Sequence, residues 1–363
     1  MIESKKEQVY QIIHAQPFIS QQELAERLQL SRSAVAGHIA SLIREKRLLG
    51  RAYVFPERRP VVCIGGANID RKVRTVGALQ MGTSNPVSQH ESFGGVARNI
   101  AENLARLGSA TSLICAVGDD ASGADLLAQA RVAGMDTSAS LTLSGQGSGS
   151  YTAILDADGE MVLALAHMQL CEQLDVTFLA NRQTQRAVAL MTVADLNLPK
   201  SSIDYLQAEA IRCAHPLVLV AVSQPKMSRL PDNLRGVRLL ILNRAELGTR
   251  VAQTLDTEDD IKHACRLVQA QGVQDVIVTL GEAGVMLTDG AEWHVLHAPA
   301  VDVCDVTGAG DAFAAAVCWS LCHDDTDMIS AAQRGLHLAA LTLQSAATVC
   351  PDLTPDTLTN LLK

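Results

Sequence analysis

Aromatic residues are scarce in this chain of 363 residues: Phe, Tyr and Trp together make up 3%. Any core must therefore be built from Leu, Val, Ile and Ala. A paired cysteine framework is also missing. The nine cysteines are an odd number and are scattered, which excludes a disulfide-stapled scaffold. Cys318 and Cys322 lie four apart in an apolar, helical stretch, without the further ligand pair that a zinc site needs. They read as thiols of a reducing compartment. No run approaches 18 apolar residues, and the first residues hold no apolar signal core, so neither a membrane span nor export is expected. The protein is expected in the cytoplasm. Internal repeats and low-complexity tracts are absent too. What remains is length enough for two domains. A unit of about 300 residues buries roughly three quarters of its unfolded surface and needs no staple.

Charge divides the chain unevenly. Residues 1–60 carry 10 Lys+Arg against 6 Asp+Glu, whereas the remainder carries 20 against 33. Only the basic head suits nucleic acid, and the acidic body argues against a membrane surface. In the head, residues 3–15 place Val9, Ile12 and Ile13 on one helical face, and Pro17 stops that helix. Ser20 and Glu23 have the spacing of a capping box for a second helix. Ser31 opens a third, with Val35, Ile39 and Ile43 at four-residue intervals. The segment after Lys46 reads as a short hairpin or wing. This stretch resembles a winged helix-turn-helix. In that geometry Ser31, Arg32, Ser33 and His38 would face base edges, and Lys46, Arg47 and Arg51 would lie near phosphates. A three-helix docking module that never touches DNA is the competing reading. The head is assigned to residues 1–56 and a Pro-bracketed linker to 57–60.

From residue 61 to 363 apolar strands alternate with helical segments, which implies a mostly parallel sheet covered on both faces. VVCIGGANID is a buried strand running into a glycine turn. YTAILDADGEMVLAL and RKVRTVGAL alternate more strictly and predict a small second sheet, a lid. The expected class is a three-layer α/β/α sandwich with a β lid behind an all-α head.

Four short stretches carry chemistry. The strongest runs from Asp305 to Asp311, Asp-Val-Thr-Gly-Ala-Gly-Asp, into a helix of small residues. Gly308, Ala309 and Gly310 let consecutive backbone N–H groups point at one spot, where the helix N-terminus adds a positive field. That cradle suits a transferring phosphoryl group, and Asp311 at its lip can accept the proton of an attacking hydroxyl. An N-cap aspartate after a glycine turn is the plain alternative. Gly94 and Gly95 open a second motif ending in Asn99, whose amide both donates to and accepts from hydroxyls. Arg98 beside it is either a solvated cation or a phosphate or substrate contact. Asn243 and Glu246 follow an apolar strand with N-x-x-E spacing. Thr279, Gly281 and Gly284 mark a turn after another strand. No GxxxxGK[ST] occurs, which excludes a P-loop NTPase.

Together these stretches resemble the signatures of the ribokinase-like (PfkB) kinases over roughly residues 61–363. The resemblance implies Asp311 as catalytic base, with Gly308, Ala309 and Gly310 as the anion hole. It implies Asp70, with Asn68, Gly94, Gly95 and Asn99, as the holders of a sugar ring. Asn243 and Glu246 would arrange Mg²⁺ through waters, Thr279, Gly281 and Gly284 would lie against ATP, and Asp305 with Thr307 would be places for K⁺. Within that family the loops are most similar to the pseudouridine kinase branch. Ser84-Asn85-Pro86, Ser150-Tyr151, Leu155-Asp156, Gly159-Glu160-Met161 and Ala194-Asp195-x-Asn197 match it. Ala166-His167-Met168 and Ala221-Val222-Ser223 depart from it, each losing a carboxylate. Tyr151 and His167 are expected at the substrate; His167 either recognises a base edge or is an exposed lid histidine. The implied reaction is phosphorylation of a nucleoside 5′-hydroxyl; ribose, another nucleoside or a ketohexose phosphate are the other acceptors, and a ligand-sensing regulator is the non-enzymatic alternative. A homodimer is expected.

Overall fold

The computed structural model describes residues 4–16, 19–49, 59–290, 292–323 and 327–359. The chain folds as two compact units, residues 1–59 and 60–363. The first holds α1 (Lys5–Ala15), α2 (Gln21–Leu28) and α3 (Arg32–Arg44). The capping box of α2 forms as its spacing predicts: Ser20 Oγ accepts from the Glu23 N–H at 3.1 Å and Glu23 Oε2 accepts from the Ser20 N–H at 2.9 Å. Ser31 Oγ caps α3 by accepting from the Ala34 N–H. Val9, Ile13, Leu24, Val35, Ile39 and Leu42 fill the small core. Leu42 rather than Ile43 completes the α3 stripe, and Ile43 lies at its edge. Residues 50–58, which include Arg51, most of the expected wing and half of the linker, fall outside the described residues.

The second unit runs, in order, β1 (Val61–Ile64), β2 (Asn68–Thr75), β3 (Val87–Gly94), α4 (Val96–Arg106), β4 (Thr111–Ile114), β5 (Ala116–Gly118), α5 (Ala121–Val132), β6 (Met135–Asp136), β7 (Leu141–Leu143), β8 (Ser150–Leu155) and β9 (Met161–His167). It continues with α6 (Val176–Ala180), α7 (Gln183–Ala187), β10 (Met191–Asp195), α8 (Lys200–Cys213), β11 (Leu217–Val220), β12 (Leu239–Asn243), α9 (Arg244–Val251) and α10 (Glu258–Gln269). It closes with β13 (Asp275–Thr279), β14 (Val285–Asp289), β15 (Glu292–Leu296), α11 (Ala309–Leu321) and α12 (Met328–Leu343).

Nine strands form the main sheet in the order β15-β14-β13-β12-β11-β10-β1-β4-β6, with only β14 reversed. The central strands β1, β11 and β12 are largely apolar because both faces are covered. In β1, Val61 and Cys63 join the layer of α4, α5, α11 and α12, while Val62 and Ile64 join the layer of α8, α9 and α10. One four-residue strand thus feeds two cores by simple alternation. Helix α11 lies deepest, buried from Ala312 to Ser320. Gly335 of α12 leaves room for the Phe313 ring, which a Cβ there would overlap.

The lid is a four-stranded sheet, β3-β2-β8-β9. Its two alternating segments were legible in advance. Strand β3, which leads into Gly94, was not.

Candidate active site

The connection after β1 goes to β4 on one side, and the connection after β10 goes to β11 on the other. The crevice between the carboxyl ends of β1 and β10 is therefore the switch point of the sheet, the usual place for a ligand in an open α/β fold. Asp195 ends β10 at that point and is fully buried. Its Oδ2 accepts from the Gly66 and Ala97 N–H groups, each at 2.9 Å, and its Oδ1 from the Asn197 N–H at 2.8 Å. One carboxylate thus ties the glycine turn after β1 to the first turn of α4. The Ala194-Asp195-x-Asn197 match falls on this end of β10. The Asp195 side chain braces backbone, and burial holds its carboxyl above the ordinary value.

The acceptor side is built on β2, β3 and α4. Asp70 is held by the Asn68 side-chain amide, which donates to Oδ1 at 2.5 Å. Gly94 lies opposite Asn68 in the β2–β3 ladder. A Cβ on Gly94 would overlap the Asp70 carboxylate, so glycine is needed for the acid to lie there. Gly95 adopts φ 103°, and a Cβ would strike the Gly66 backbone. Burial raises the Asp70 carboxyl, with the Asn68 hydrogen bond opposing.

Asn99, one turn into α4, donates through Nδ2 to Asp311 Oδ2 at 2.8 Å, across 212 residues of sequence. Arg98 fixes the orientation of that amide. Its Nη1 donates to Asn99 Oδ1 at 3.0 Å and to the Phe93 carbonyl at 3.0 Å. It also pairs with Glu102, and Arg106 holds the other oxygen of Glu102 at 2.7 Å. Arg98 is 6% exposed, which removes the solvated-cation reading; its hydrogen bond sets which end of the Asn99 amide faces Asp311.

Asp311 stands in the first turn of α11. Burial raises its carboxyl to about 7, the Asn99 hydrogen bond opposes this, and the negative charges of Asp195 and Asp70 add to it. A carboxylate that titrates near neutrality and takes a single amide donor is suited to accept a proton. Gly308 caps α11 with φ 83°, where a Cβ would overlap the Thr348 carbonyl. No side chain caps this helix. A Cβ on Gly310 would meet nothing within 4 Å, so the turn opens onto free space. Gly308 to Asp311 form this turn and the start of α11.

Lys72 was not foreseen. Its ammonium pairs with Asp305 Oδ2 and lies 3.3 Å from Thr307 Oγ1.

On the opposite flank, Asn243 and Thr279 pair across β12 and β13, which brings both expected nucleotide stretches to the carboxyl edge of the sheet. Gly281 and Gly284 take positive φ in the turn, and a Cβ on Gly284 would overlap the Leu296 carbonyl. Asn243 and Glu246, however, form a capping box for α9. Asn243 Oδ1 accepts from the Glu246 N–H at 2.9 Å and Glu246 Oε2 from the Asn243 N–H at 2.7 Å. Burial raises Glu246. Only its second oxygen is left for a metal's waters. Among the described residues no cluster of three or more His, Cys, Asp or Glu could hold a metal ion.

Register separates these two expected substrate contacts. Tyr151 pairs with Asp70 and Ala166, so it shares the Asp70 face of the lid. His167 pairs with Ser150, which pairs with Ile69, and so belongs to the other face. His167 is thereby removed from the base contacts. Asn85 closes its own loop, exchanging hydrogen bonds of 2.8 Å with the Gln80 backbone.

In the head, Arg32 and Ser33 are exposed at the start of α3, His38 is half-buried and Ser31 is occupied as the cap. Lys46 takes φ 58° after the helix. Arg47 is directed inward: it donates to both Glu7 oxygens at 2.8 Å and lies 3.8 Å over the Tyr10 ring. It is a tie between α1 and the end of α3 rather than a phosphate contact.

Residues 58–354 match the model of the pfkB family carbohydrate kinases, and residues 3–46 match a winged helix-turn-helix DNA-binding model. The uncharacterized sugar kinase YeiI of Escherichia coli (strain K12) is 32% identical over 318 residues, 87% of this chain and 87% of that protein. The pseudouridine kinase of the same organism is 32% identical over 266 residues, 72% of this chain and 84% of its own. The structure of Arabidopsis thaliana ribokinase complexed with ribose and ATP superposes with a TM-score of 0.72 at 21% identity, covering 84% of this chain and 99% of that one, and shares the fold. With a family match spanning nearly all of the second unit and the two glycine motifs meeting at Asn99 and Asp311, the chain belongs to the pfkB family of carbohydrate kinases, carrying a winged helix-turn-helix at its head.

Proposed function

We propose that the second unit transfers the γ-phosphoryl group of ATP to the 5′-hydroxyl of a nucleoside, with pseudouridine as the acceptor. The observation that carries the transfer is the Asn99–Asp311 hydrogen bond beside the uncapped start of α11. Asp70 has two acceptor oxygens for a vicinal diol and Asn99 an amide for a hydroxyl, which holds the ring. Asp311 takes the proton of the attacking hydroxyl, the new P–O bond forms and ADP leaves with the old bridging oxygen. The backbone amides of Ala309 and Gly310 receive the charge that develops on the phosphoryl oxygens. Bound Mg²⁺ would supply positive charge between the nucleotide phosphates, and the free oxygen of Glu246 would hold its waters. Thr279, Gly281 and Gly284 would lie against the nucleotide.

Pseudouridine is supported by the 32% identity to the E. coli pseudouridine kinase and by Tyr151 on the Asp70 face. A sugar acceptor is the second reading. The two carboxylates missing at Ala166-His167-Met168 and Ala221-Val222-Ser223, together with the placement of His167 away from Asp70, favour it. An ADP-release screen against pseudouridine, uridine, cytidine, inosine, ribose and fructose phosphates separates the two. A preference for pseudouridine in kcat/KM supports the first reading, and a preference for ribose or a hexose phosphate replaces it. No ADP release with any acceptor would leave the ligand-sensing regulator.

The head, residues 1–56, is proposed to bind DNA through Arg32, Ser33 and His38 with Lys46 near the backbone. The protein would act in the cytoplasm as a homodimer. The outer face of the lid supports this: Val73, Ile154, Leu163 and Leu165 share the side opposite Asp70, and Leu163 and Leu165 are about half exposed. Such a patch suits a second copy of itself.

A further inference from the structure

The family resemblance places a monovalent cation beside Asp305 and Thr307, and the donor atoms of this chain do not fit one. Asp305 Oδ1 already accepts from the Thr307 N–H at 2.9 Å and from the Thr307 hydroxyl at 2.7 Å. Asp305 Oδ2 is held by the Lys72 ammonium. The Thr307 oxygen, having given its proton to Asp305, faces the same ammonium at 3.3 Å. Lys72 therefore bridges the two side chains a cation would have to share. A second positive charge on the same carboxylate would be pressed against the ammonium and repelled.

The origin of Lys72 matters as much as its charge. It stands on β2, two residues beyond Asp70, and successive side chains of a strand alternate. Asp70 and Lys72 thus lie on one face of the lid. The strand that offers the acceptor-binding carboxylate also pins the loop that opens α11.

We propose that the Lys72 ammonium is the resident monovalent cation of this kinase. It holds the Asp305–Gly308 turn in the shape that aims the α11 amides, so phosphoryl transfer does not require K⁺. Because the charge arrives on the lid, it also ties the position of the acceptor site to that of the anion-binding turn. This inference rests on the kinase reading.

The test uses the full-length protein in tetramethylammonium buffer, titrated with KCl at constant ionic strength. ADP release by the wild type should change less than about twofold, whereas Lys72→Met should lose at least about tenfold without K⁺ and recover with K⁺ or NH₄⁺. Melting temperature without substrates gives a second readout: K⁺ should leave the wild type unmoved and stabilise Lys72→Met, because only the variant has a place for it. A wild type activated or stabilised by K⁺ overturns the proposal, as does a Lys72→Met enzyme of full activity without K⁺. If no acceptor yields ADP, the kinase reading fails, while the melting data still decide where the cation charge comes from.

Discussion

The side-chain amide of Asn99 donates to Asp311 Oδ2 at 2.8 Å, joining the first turns of two helices that the sequence separates by 212 residues. Arg98 fixes which end of that amide faces the acid, because its guanidinium occupies the carbonyl oxygen. The Asp311 carboxylate is therefore oriented by a neutral donor, which is in turn oriented by a buried cation.

Replacing Asp311 with Asn should leave nucleotide binding intact and cut turnover by two to three orders of magnitude, about the contribution of a positioned base. The same change should alter stability in a pH-dependent way. The Asp311 carboxyl is raised from 3.8 to about 7 in the fold. Between those values the native state keeps a proton that the unfolded chain gives up, so this group makes the wild type less stable as pH rises. The melting temperature of Asp311→Asn relative to wild type should therefore climb from pH 4 to pH 7. A difference that stays flat would refute the raised carboxyl.

A base that titrates near 7 should make kcat/KM rise with pH through about 7. Asn99→Leu removes the donor that favours the ionised form and should move that inflection upward, with a lower plateau. Arg98→Met should move it in the same direction, because it removes a positive charge and unlocks the amide. Rate profiles with a slow-reacting acceptor, where chemistry limits, are the measurement.

Gly94→Ala should lower kcat/KM for the acceptor by about 10–100-fold, the scale of a displacement near 1 Å at a reacting centre. Its Cβ would push the Asp70 carboxylate aside. Nucleotide affinity should be unchanged, and a parallel loss in both would argue for general damage instead.

In the head, Arg32→Ala should weaken DNA binding and reduce the log–log salt slope by about 1. Arg47→Ala should act differently. The guanidinium pairs with Glu7 and covers Tyr10, so its loss should loosen α1 against the end of α3. Faster amide exchange in α1 of the full-length protein would report it.

The glycine motifs were readable because their conformations are imposed locally. A turn that needs φ near 83° or 103° demands glycine whatever the tertiary context, so Gly308 and Gly95 announce themselves. Residues that act only across the fold did not. Nothing around Lys72 or Asp195 says which distant loop each will meet. The face of His167 depends on strand register, and a shift of one residue would have reversed it. N-x-x-E and S-x-x-E illustrate the remaining ambiguity. Ser20–Glu23 was read as a capping box and Asn243–Glu246 as a metal motif, yet both close the same pair of hydrogen bonds at a helix start. One spacing serves both purposes, and only the burial of Glu246 at the carboxyl edge of the sheet distinguishes them.

The three amides gathered by Asp195 also bear on how the protein is made. They join a turn near residue 66 to a carboxylate 129 positions later in the chain. A nascent polypeptide that has emerged only as far as β9 already holds Gly66 and Ala97 but not the carboxylate that accepts from both. The tie between the glycine turn and α4 can close only after β10 has left the ribosome and slotted in beside β1.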